Sequence, residues 1–368
     1  MRIVEIIPSF IPLGGAENFV FNLSSTLKNN ENEVLIVSLF KKKNDFIESK
    51  LAKENIPIFY LEKKKGIDFK SMRVLKKVLN ELKPDIVHLH LNSIICSLPS
   101  ILSKKYKFIF TFHTFIDKKT YGRKTSFKNL LMKSLFKKKL IYPVTISDTV
   151  DNSFKEFFGN IETKIIYNGV DIKKFKYFKG IKKEYDFISI GSFNDIKNNL
   201  FMLECFKKVR DSGHNANYLL IGNGKNYESC YNFCLKNNLL NHVTFAGVVN
   251  NVEDYLAKSK CLLLASHWEG NPLVVNEALA SGVWVIANSV GGIVDLLDET
   301  CGYLTIPESM DDFTSKMILF LKLKKLSGRR GNLLFSIVEL IGIGTNLNTV
   351  LMVAGANLAT TLSIVLSS

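Results

Sequence analysis

The sequence is poor in the features that mark secreted and metal-stabilised proteins. It has six cysteines in 368 residues, and only Cys230 and Cys234 lie close together, so no CxxC pair is present. This spacing argues against a disulfide framework and against a zinc site, and we expect reduced thiols in a cytoplasmic protein. The first residues, Met1 to Ile7, have neither a basic region nor a long apolar run. They predict a strand and no signal peptide.

Acidic residues are also scarce relative to basic ones. The chain has 49 Lys and Arg against 34 Asp and Glu, a formal net charge of +15. This excess favours anionic partners such as phosphates, anionic lipid or nucleic acid, and composition alone cannot choose among them. No recognisable RNA-binding or DNA-binding module accompanies the charge, so nucleic acid is not an expected partner.

The chain has the length and apolar content for two α/β domains. It is 46% hydrophobic, enough to bury a substantial core, and 368 residues exceed one ordinary domain. Short continuous aliphatic runs alternate with amphipathic stretches, as in parallel sheets covered by helices. The runs predict strands at Ile3–Phe10, Glu33–Phe40, Asp85–Leu91, Lys107–His113, Pro143–Ser147, Lys164–Tyr167, Asp186–Ser192, Asn217–Gly222, Val243–Gly247, Cys261–Ser266 and Val283–Asn288.

The alternation of strands and helices starts afresh near Asp186, which predicts domains at 1–172 and 180–326. The basic stretch from Asp171 to Glu184 is the predicted linker. Residues 327–368 form a tail whose only charge after Arg330 is Glu339. The tail is long enough to span a bilayer, which takes about 20 residues, but its asparagines oppose this. A helix packed on the protein and a C-terminus foreign to the domain are the alternatives.

The strongest local signal runs from Ser266 to Gly282, after a predicted strand. Asn271 suits a helix N-cap, Pro272 the first helical position, and Gly282 the stop. The spacing places Glu269 in a loop before this helix and Glu277 within it. The helix N-terminus would bind an anionic diphosphate, and the two carboxylates would accept hydrogen bonds from the hydroxyls of a sugar and a ribose. An ordinary strand–loop–helix with two surface glutamates is the alternative.

This segment resembles the retaining glycosyltransferases of the GT-B fold, family 4, also called group 1. Their hallmark is a glutamate, seven residues and a second glutamate, which Glu269 and Glu277 match. The resemblance extends from Met1 to about Lys325. It implies two Rossmann-like domains facing a cleft, a nucleotide-sugar donor, retention of anomeric configuration, and neither a metal nor another cofactor.

The resemblance also assigns roles to residues outside this pair. It implies catalytic roles for Glu269, His113 and Lys197, with His113 near the donor sugar and Lys197 at the diphosphate. The alternative for His113 is a structural histidine at a strand end whose hydrogen bonds are met within the protein. The alternative for Lys197 is a solvated surface lysine. Ser192 stands where the family usually has arginine, which implies weaker donor binding or slower departure of the leaving group. The implied donor-binding residues are Gly14, Gly15, Lys197, Gly222, Gly270, Asn271, Pro272, Leu273 and Glu277.

Two further features stand apart from these motifs. His88 and His90 share one strand face as a metal pair would, but the sequence offers no evident third ligand, so no metal site is predicted. A basic stretch from Lys118 to Lys139 with interleaved aromatic residues predicts an amphipathic helix that lies on anionic lipid. A solvated charged face is the alternative.

Together these features predict a glycosyltransferase that moves a sugar from a nucleotide-sugar to a glycan or lipid-linked acceptor. The expected setting is surface polysaccharide assembly, such as capsule or lipopolysaccharide, in the cytoplasm or at the inner face of the cell membrane. Two alternatives are a nucleotide-sugar epimerase of the same fold and a non-catalytic nucleotide-sugar-binding protein. Ser192 and the tail favour the latter.

Overall fold

The structure is a computed structural model that describes residues 1–327, except 12–13, 44–45 and 179. The side chains of residues 119–120 and 324–327 are also outside the description. The three predictions for the apolar tail therefore lie outside the described residues. Within the described range the chain forms two compact units, the first ending at Asn168 and the second beginning at Gly169.

The first unit is built on a seven-stranded parallel sheet with the order β3-β2-β1-β4-β5-β6-β7. Its central strands are buried on both faces, which explains why their sequences are mostly apolar. The strands are β1 Arg2–Ile7, β2 Glu33–Ser38, β3 Ile58–Tyr60, β4 Ile86–His90, β5 Lys107–Phe112, β6 Tyr142–Thr145 and β7 Lys164–Ile165.

The helices of the first unit connect these parallel strands. Their ends follow local sequence signals: Asp68 accepts a hydrogen bond from the Ser71 N–H before α3, and Ser147 accepts one from Val150 before α7. The helices are α1 Gly15–Asn29, α2 Phe46–Lys53, α3 Phe69–Leu82, α4 Ile94–Ile101, α5 Lys118–Tyr121, α6 Phe127–Lys137 and α7 Asp148–Phe158, with a 3₁₀ turn at Leu91–Ser93. In the hydrophobic core of this unit, the rings of Phe112, Phe136, Phe154 and Phe158 contact one another in edge-on or tilted pairs.

The second unit repeats this architecture with six parallel strands in the order β10-β9-β8-β11-β12-β13. The strands are β8 Tyr185–Ile190, β9 Tyr218–Ile221, β10 Val243–Gly247, β11 Ser259–Leu264, β12 Trp284–Asn288 and β13 Gly302–Thr305. The helices are α8 Asn199–Asp211, α9 Tyr227–Lys236, α10 Val252–Ala257, α11 Leu273–Ala280 and α12 Met310–Ser327, with a 3₁₀ turn at Gly291–Ile293. Both strand orders are Rossmann-like, so the predicted α/β class with two such units is confirmed.

Several local predictions differ from the structure. The short strands β3 and β13 were not predicted, and the predicted first strand extends past Ile7, where β1 ends. Helix α11 begins at Leu273, one residue later than predicted, because Pro272 has extended backbone angles and is itself the N-cap. Gly282 does end the helix, with a φ of +67° and its N–H donated to the Leu279 carbonyl.

The basic stretch from Lys118 to Lys139 is not one helix, which corrects the prediction. Helix α5 stops at Tyr121, Gly122 has a φ of +77°, and α6 begins only at Phe127. The glycine breaks the run because its left-handed conformation cannot continue a helix. Among residues 1–327 as described, no helix combines the length and apolar character needed to cross a membrane.

Candidate functional site

The loops that leave the carboxyl ends of the second sheet are tied to one another by backbone hydrogen bonds. The His267 N–H after β11 donates to the Ile196 carbonyl after β8, at 2.8 Å. The Gly292 N–H after β12 donates to the Glu269 carbonyl at 3.0 Å. In open parallel sheets this edge is where ligands bind. The bonds therefore hold the predicted donor-binding segments as one connected surface.

Lys197 and Glu269 meet at the centre of this surface. Lys197 Nζ lies 2.5 Å from Glu269 Oε1, and the same oxygen accepts a hydrogen bond from Ser266 Oγ at 2.7 Å. The two side chains are only 23% and 13% exposed, so solvent screens the pair weakly. The Lys197 N–H donates to Asn194 Oδ1 at 3.0 Å, which fixes its loop. The structure thus brings together two of the three predicted catalytic residues.

Glycines let the surrounding loops approach closely. Gly291 has a φ of +53°, and a Cβ at this position would lie 1.8 Å from the Glu269 carbonyl oxygen. Gly224 has a φ of +156°, and a Cβ there would lie 2.4 Å from the Phe193 carbonyl oxygen. Gly222 ends β9 with its N–H donated to the Gly247 carbonyl at 2.7 Å. The tight fit at Gly291 was not predicted, although the sequence shows a glycine pair after the strand.

Helix α11 begins directly beside Glu269. Its first N–H groups have no intrahelical acceptor and carry the positive end of the helix dipole. Buried Asn271 does not cap the helix as predicted; its Oδ1 accepts a hydrogen bond from Asn276 Nδ2 at 2.8 Å. Glu277 lies within the helix and is half-buried. Gly270 and Leu273 are both buried next to this helix start.

Ser192 follows β8 and is half-buried in the loop that leads to Lys197. Further along the same loop, the exposed carboxylate of Asp195 pairs with Lys225. Asn226 Nδ2 also donates to Asp195, at 2.9 Å. The positive charge of Lys225 is therefore exposed and already paired with Asp195.

In the first unit, the predicted glycines lie at the start of α1. Gly14 is the N-cap residue and Gly15 the first helical residue. The buried Glu17 side chain folds over Gly14, where a Cβ would lie 2.0 Å from Glu17 Oε2. Phe19 on the same helix packs edge-on against the ring of His113, with centroids 5.0 Å apart.

His113 follows β5 and ends a chain of buried hydrogen bonds that crosses the sheet. Its Nε2 lies 3.0 Å from His90 Nδ1, and His90 Nε2 lies 2.7 Å from Glu5 Oε2. The same Glu5 oxygen lies 3.0 Å from His88 Nδ1, and His88 Nε2 lies 2.7 Å from Thr111 Oγ1. Strand register explains the arrangement, because Glu5 pairs with His88, and His90 with Thr111.

The protonation of this chain follows from its burial and its partners. Burial raises the pKa of the Glu5 carboxyl, but the charges and hydrogen bonds of His88 and His90 outweigh burial and lower it to about 2. Burial lowers the pKa of His90 to about 4 and lowers that of His113 well below 6.5. At neutral pH, Glu5 is therefore a carboxylate, whereas His90 and His113 are neutral imidazoles.

Glu5 also corrects the prediction that no third ligand accompanies His88 and His90. One potential ligand atom from each of the three residues lies within 4.8 Å of the others. All four ring nitrogens of the two histidines have hydrogen-bonding partners in the chain just described. These bonds account for the cluster without a cation. Glu5 could have been found as the one charged residue among the buried positions of β1.

Comparison with known proteins decides the family. Residues 13–174 match the family described as Glycosyltransferase Family 4, and residues 171–332 match Glycosyl transferases group 1. A capsular polysaccharide biosynthesis glycosyltransferase, CapH of Staphylococcus aureus, is 30% identical over 75% of this chain and 78% of its own length. The chain belongs to glycosyltransferase family 4.

A second relative and a solved structure are similar to this chain at lower identity. An Escherichia coli UDP-Gal:alpha-D-GlcNAc-diphosphoundecaprenol alpha-1,3-galactosyltransferase is 26% identical over 68% of this chain and 70% of its own. The structure of Anabaena HepE in complex with UDP and glucose superimposes with a TM-score of 0.71 at 16% identity, covering 93% of this chain and 98% of HepE. The resemblance to HepE supports the GT-B fold, and the roles of individual residues in this family 4 chain stay predictions.

Proposed function

We propose that this family 4 protein transfers a sugar, with retention of anomeric configuration, from a nucleotide-sugar to a lipid-linked glycan in surface polysaccharide assembly. The observation that carries the proposal is the Lys197–Glu269 pair beside the start of α11. This arrangement joins a cation, a carboxylate and a helix N-terminus, which are the groups that a nucleoside diphosphate-sugar needs.

Each group has a distinct proposed task. The Lys197 ammonium and the α11 N–H groups stabilise the negative charge that develops on the departing diphosphate. Glu269 and Glu277 accept hydrogen bonds from neutral hydroxyls, Glu269 from the donor sugar and Glu277 from the ribose. His113 is proposed to contact the donor sugar. These tasks require neither a bound metal nor another cofactor, because the protein itself supplies the positive charge.

Retention is proposed to follow from a front-face reaction. The bond to the leaving diphosphate breaks through an oxocarbenium-like state while the acceptor hydroxyl approaches on the same face of the ring. We assign no side chain as nucleophile. The acceptor hydroxyl would pass its proton to the departing phosphate oxygen, which becomes basic as that bond breaks.

The donor and acceptor classes are proposed from the named relatives. CapH is a capsular polysaccharide biosynthesis enzyme, and the E. coli relative uses a diphosphoundecaprenol-linked sugar and UDP-galactose. Anabaena HepE holds UDP and glucose. A uridine diphosphate donor and a polyprenyl-diphosphate-linked acceptor are therefore the first to test.

An exposed apolar and basic surface on α6 supports a membrane-bound acceptor. Phe127 is 83% exposed and Leu130 is 53% exposed, which places two exposed apolar side chains three residues apart on one helix. The exposed cations Arg123 and Lys124 precede them, and Lys137 ends the helix. We propose that this surface contacts the anionic inner face of the cell membrane, where the apolar side chains enter the lipid headgroup region.

The transfer proposal is tested with UDP-glucose, UDP-galactose and UDP-N-acetylglucosamine, each with undecaprenyl-diphosphate-linked N-acetylglucosamine. We expect one donor to be consumed, an α-linked product by NMR, and no loss of transfer in EDTA. Lys197→Met should lower kcat by at least about 100-fold, since it removes a charge-assisted contact in the transition state. Lys207→Met is the matched control, because Lys207 also makes a 2.5 Å ion pair, with Asp211, but on helix α8.

Three outcomes would contradict the transfer proposal. Full turnover by Lys197→Met would refute the site. A β-linked product would refute retention. Conversion of the sugar-nucleotide without an acceptor would instead identify an epimerase.

The membrane proposal is tested by flotation with phosphatidylglycerol vesicles. We expect binding at low salt that is weakened by the double substitution Phe127→Ser and Leu130→Ser. Phosphatidylcholine vesicles are the control for charge. Equal flotation of the wild type and the double variant would contradict the assigned surface.

A further inference from the structure

When His90 and His113 are neutral, only one assignment of donors and acceptors fits the buried chain of hydrogen bonds from Glu5 to His113. The Glu5 carboxylate can only accept, so His90 Nε2 must carry a proton and donate to it. A neutral imidazole has one N–H, and His90 Nδ1 must therefore accept. Its partner at 3.0 Å is His113 Nε2, which must be the donor. The remaining nitrogen of His113, Nδ1, is then an unprotonated acceptor.

We propose that Glu5 and His90 are positioning residues that hold His113 in the Nε2–H tautomer, so that its Nδ1 accepts a hydrogen bond from a hydroxyl of the donor sugar. The proposal deepens the transfer function proposed above and rests on it for the identity of the hydroxyl. The tautomer itself rests only on the buried chain within the first unit.

The burial of Glu5 supports a role beyond stability. Glu5 is 0% exposed, in the middle of β1, and its Oε1 has no hydrogen-bond partner among the described residues. A buried carboxylate held through one oxygen by two imidazoles is costly, and an apolar residue would fill the same strand position without that cost. A carboxylate is, however, the group that fixes an imidazole in one tautomer.

The contacts of His113 engage its ring and its Nε2 but not its Nδ1. His113 is half-buried, and Phe19 packs edge-on against its ring at 5.0 Å. Within the described part of the chain, Nδ1 has no hydrogen-bond partner of its own. A neutral acceptor suits a sugar hydroxyl, which always has a proton to donate.

The second histidine on β4 provides an internal control. His88 contacts the same Glu5 oxygen and is buried to a similar extent, but its other nitrogen bonds Thr111 rather than His113. Replacing His88 should therefore disturb the Glu5 environment without releasing His113. Replacing His90 breaks the path between Glu5 and His113.

The direct test is ¹⁵N NMR of the full-length protein with labelled histidine at neutral pH, with the His113 signals assigned from a His113→Gln sample. We expect the His113 Nε2 shift to be that of a protonated nitrogen and Nδ1 that of an unprotonated one. His90→Phe should give a mixture of both tautomers, while His88→Phe should keep the wild-type pattern. An Nδ1–H tautomer in the wild type, or no change in His90→Phe, would overturn the proposal.

Kinetics then test the link to the donor. We expect His90→Phe to raise KM for the nucleotide-sugar or lower kcat, with kcat/KM three- to tenfold lower in total, about the value of one neutral hydrogen bond. His88→Phe should stay within about twofold of wild type. Equal kcat/KM in all three proteins would overturn the role of the tautomer. Absence of transfer in the wild type would refute the proposed function instead, while leaving the NMR result to decide the tautomer. Zinc binding that shifts the His88 and His90 signals would also overturn the hydrogen-bonded chain.

Discussion

Replacement of Gly291 by alanine should disable the donor site through the backbone of Glu269 rather than through its side chain. A Cβ on Gly291 would lie 1.8 Å from the Glu269 carbonyl oxygen. Even a very close Cβ contact needs 3.0 Å, so the two loops must separate by more than 1 Å. The Gly292 N–H, now 3.0 Å from the same carbonyl, would lose its acceptor as they part.

The size of the effect follows from two separate costs. A φ of +53° is strained for alanine by about 1 kcal/mol, and forcing extra volume into packed backbone adds about 1–3 kcal/mol. We therefore expect Gly291→Ala to lower the free energy of unfolding by about 2–4 kcal/mol. A shift of about 1 Å in catalytic geometry costs roughly 100-fold in rate, so kcat should fall by that order.

Gly213→Ala is the matched control, because Gly213 has a φ of +84° but a Cβ there would meet nothing within 4 Å. It should lose only the strain, about 1 kcal/mol, and keep its full transfer rate. The measurements are urea unfolding and sugar transfer from the active nucleotide-sugar. Equal stability loss in the two variants, or full activity of Gly291→Ala, would refute the reasoning from close contact.

Three further predictions concern charge, protonation and capping. Ser192→Arg should tighten UDP binding by about tenfold in calorimetry, since it adds a second cation to the loop that carries Lys197. Because the pKa of His90 is about 4 in the folded protein and near 6.5 when unfolded, the unfolded state binds more protons between these values. His90 should therefore lower the free energy of unfolding by on the order of 3 kcal/mol from pH 6.5 to pH 4, His113 should add to this decline, and His90→Phe should remove the His90 part of it. Ser147→Ala should cost about 1 kcal/mol in urea unfolding, because the Val150 N–H loses its cap.

Each of these has an outcome that would contradict it. Unchanged UDP affinity in Ser192→Arg would mean that this position does not face a phosphate. The same pH slope in His90→Phe would place the titrating group elsewhere. A neutral Ser147→Ala substitution would show that water replaces the cap.

The sequence predicts the sheets well where strands are buried on both faces. Short, mostly apolar runs such as β9 and β12 are typical of strands that are covered on both faces of a parallel sheet. The short strands β3 and β13 were not predicted, because three or four residues are too few to show a hydrophobic pattern. They form because each pairs with the edge of a sheet that the other strands build.

The sequence predicts the part of the candidate site that is local along the chain, but not the part that depends on contacts between strands. The Glu269 motif is local in sequence, so its loop and helix could be inferred without coordinates. The bonds from Lys197 and Ser266 to Glu269 are consistent with that inference, although the roles of these residues stay predictions. Glu5 could not be linked to His113 from the sequence, because the link depends on the register of β1 against β4 and on side-chain orientation across two strands.

The Lys197–Glu269 pair has a consequence for turnover. A complete donor offers both charges a new partner at once, phosphate oxygens for the ammonium and hydroxyls for the carboxylate. After the sugar has left, the phosphates of the remaining nucleotide still compete for Lys197, but no sugar hydroxyl is left to donate a hydrogen bond to Glu269. We therefore expect the Lys197–Glu269 ion pair to re-form in competition with the bound nucleoside diphosphate. Its re-formation should speed the release of this product.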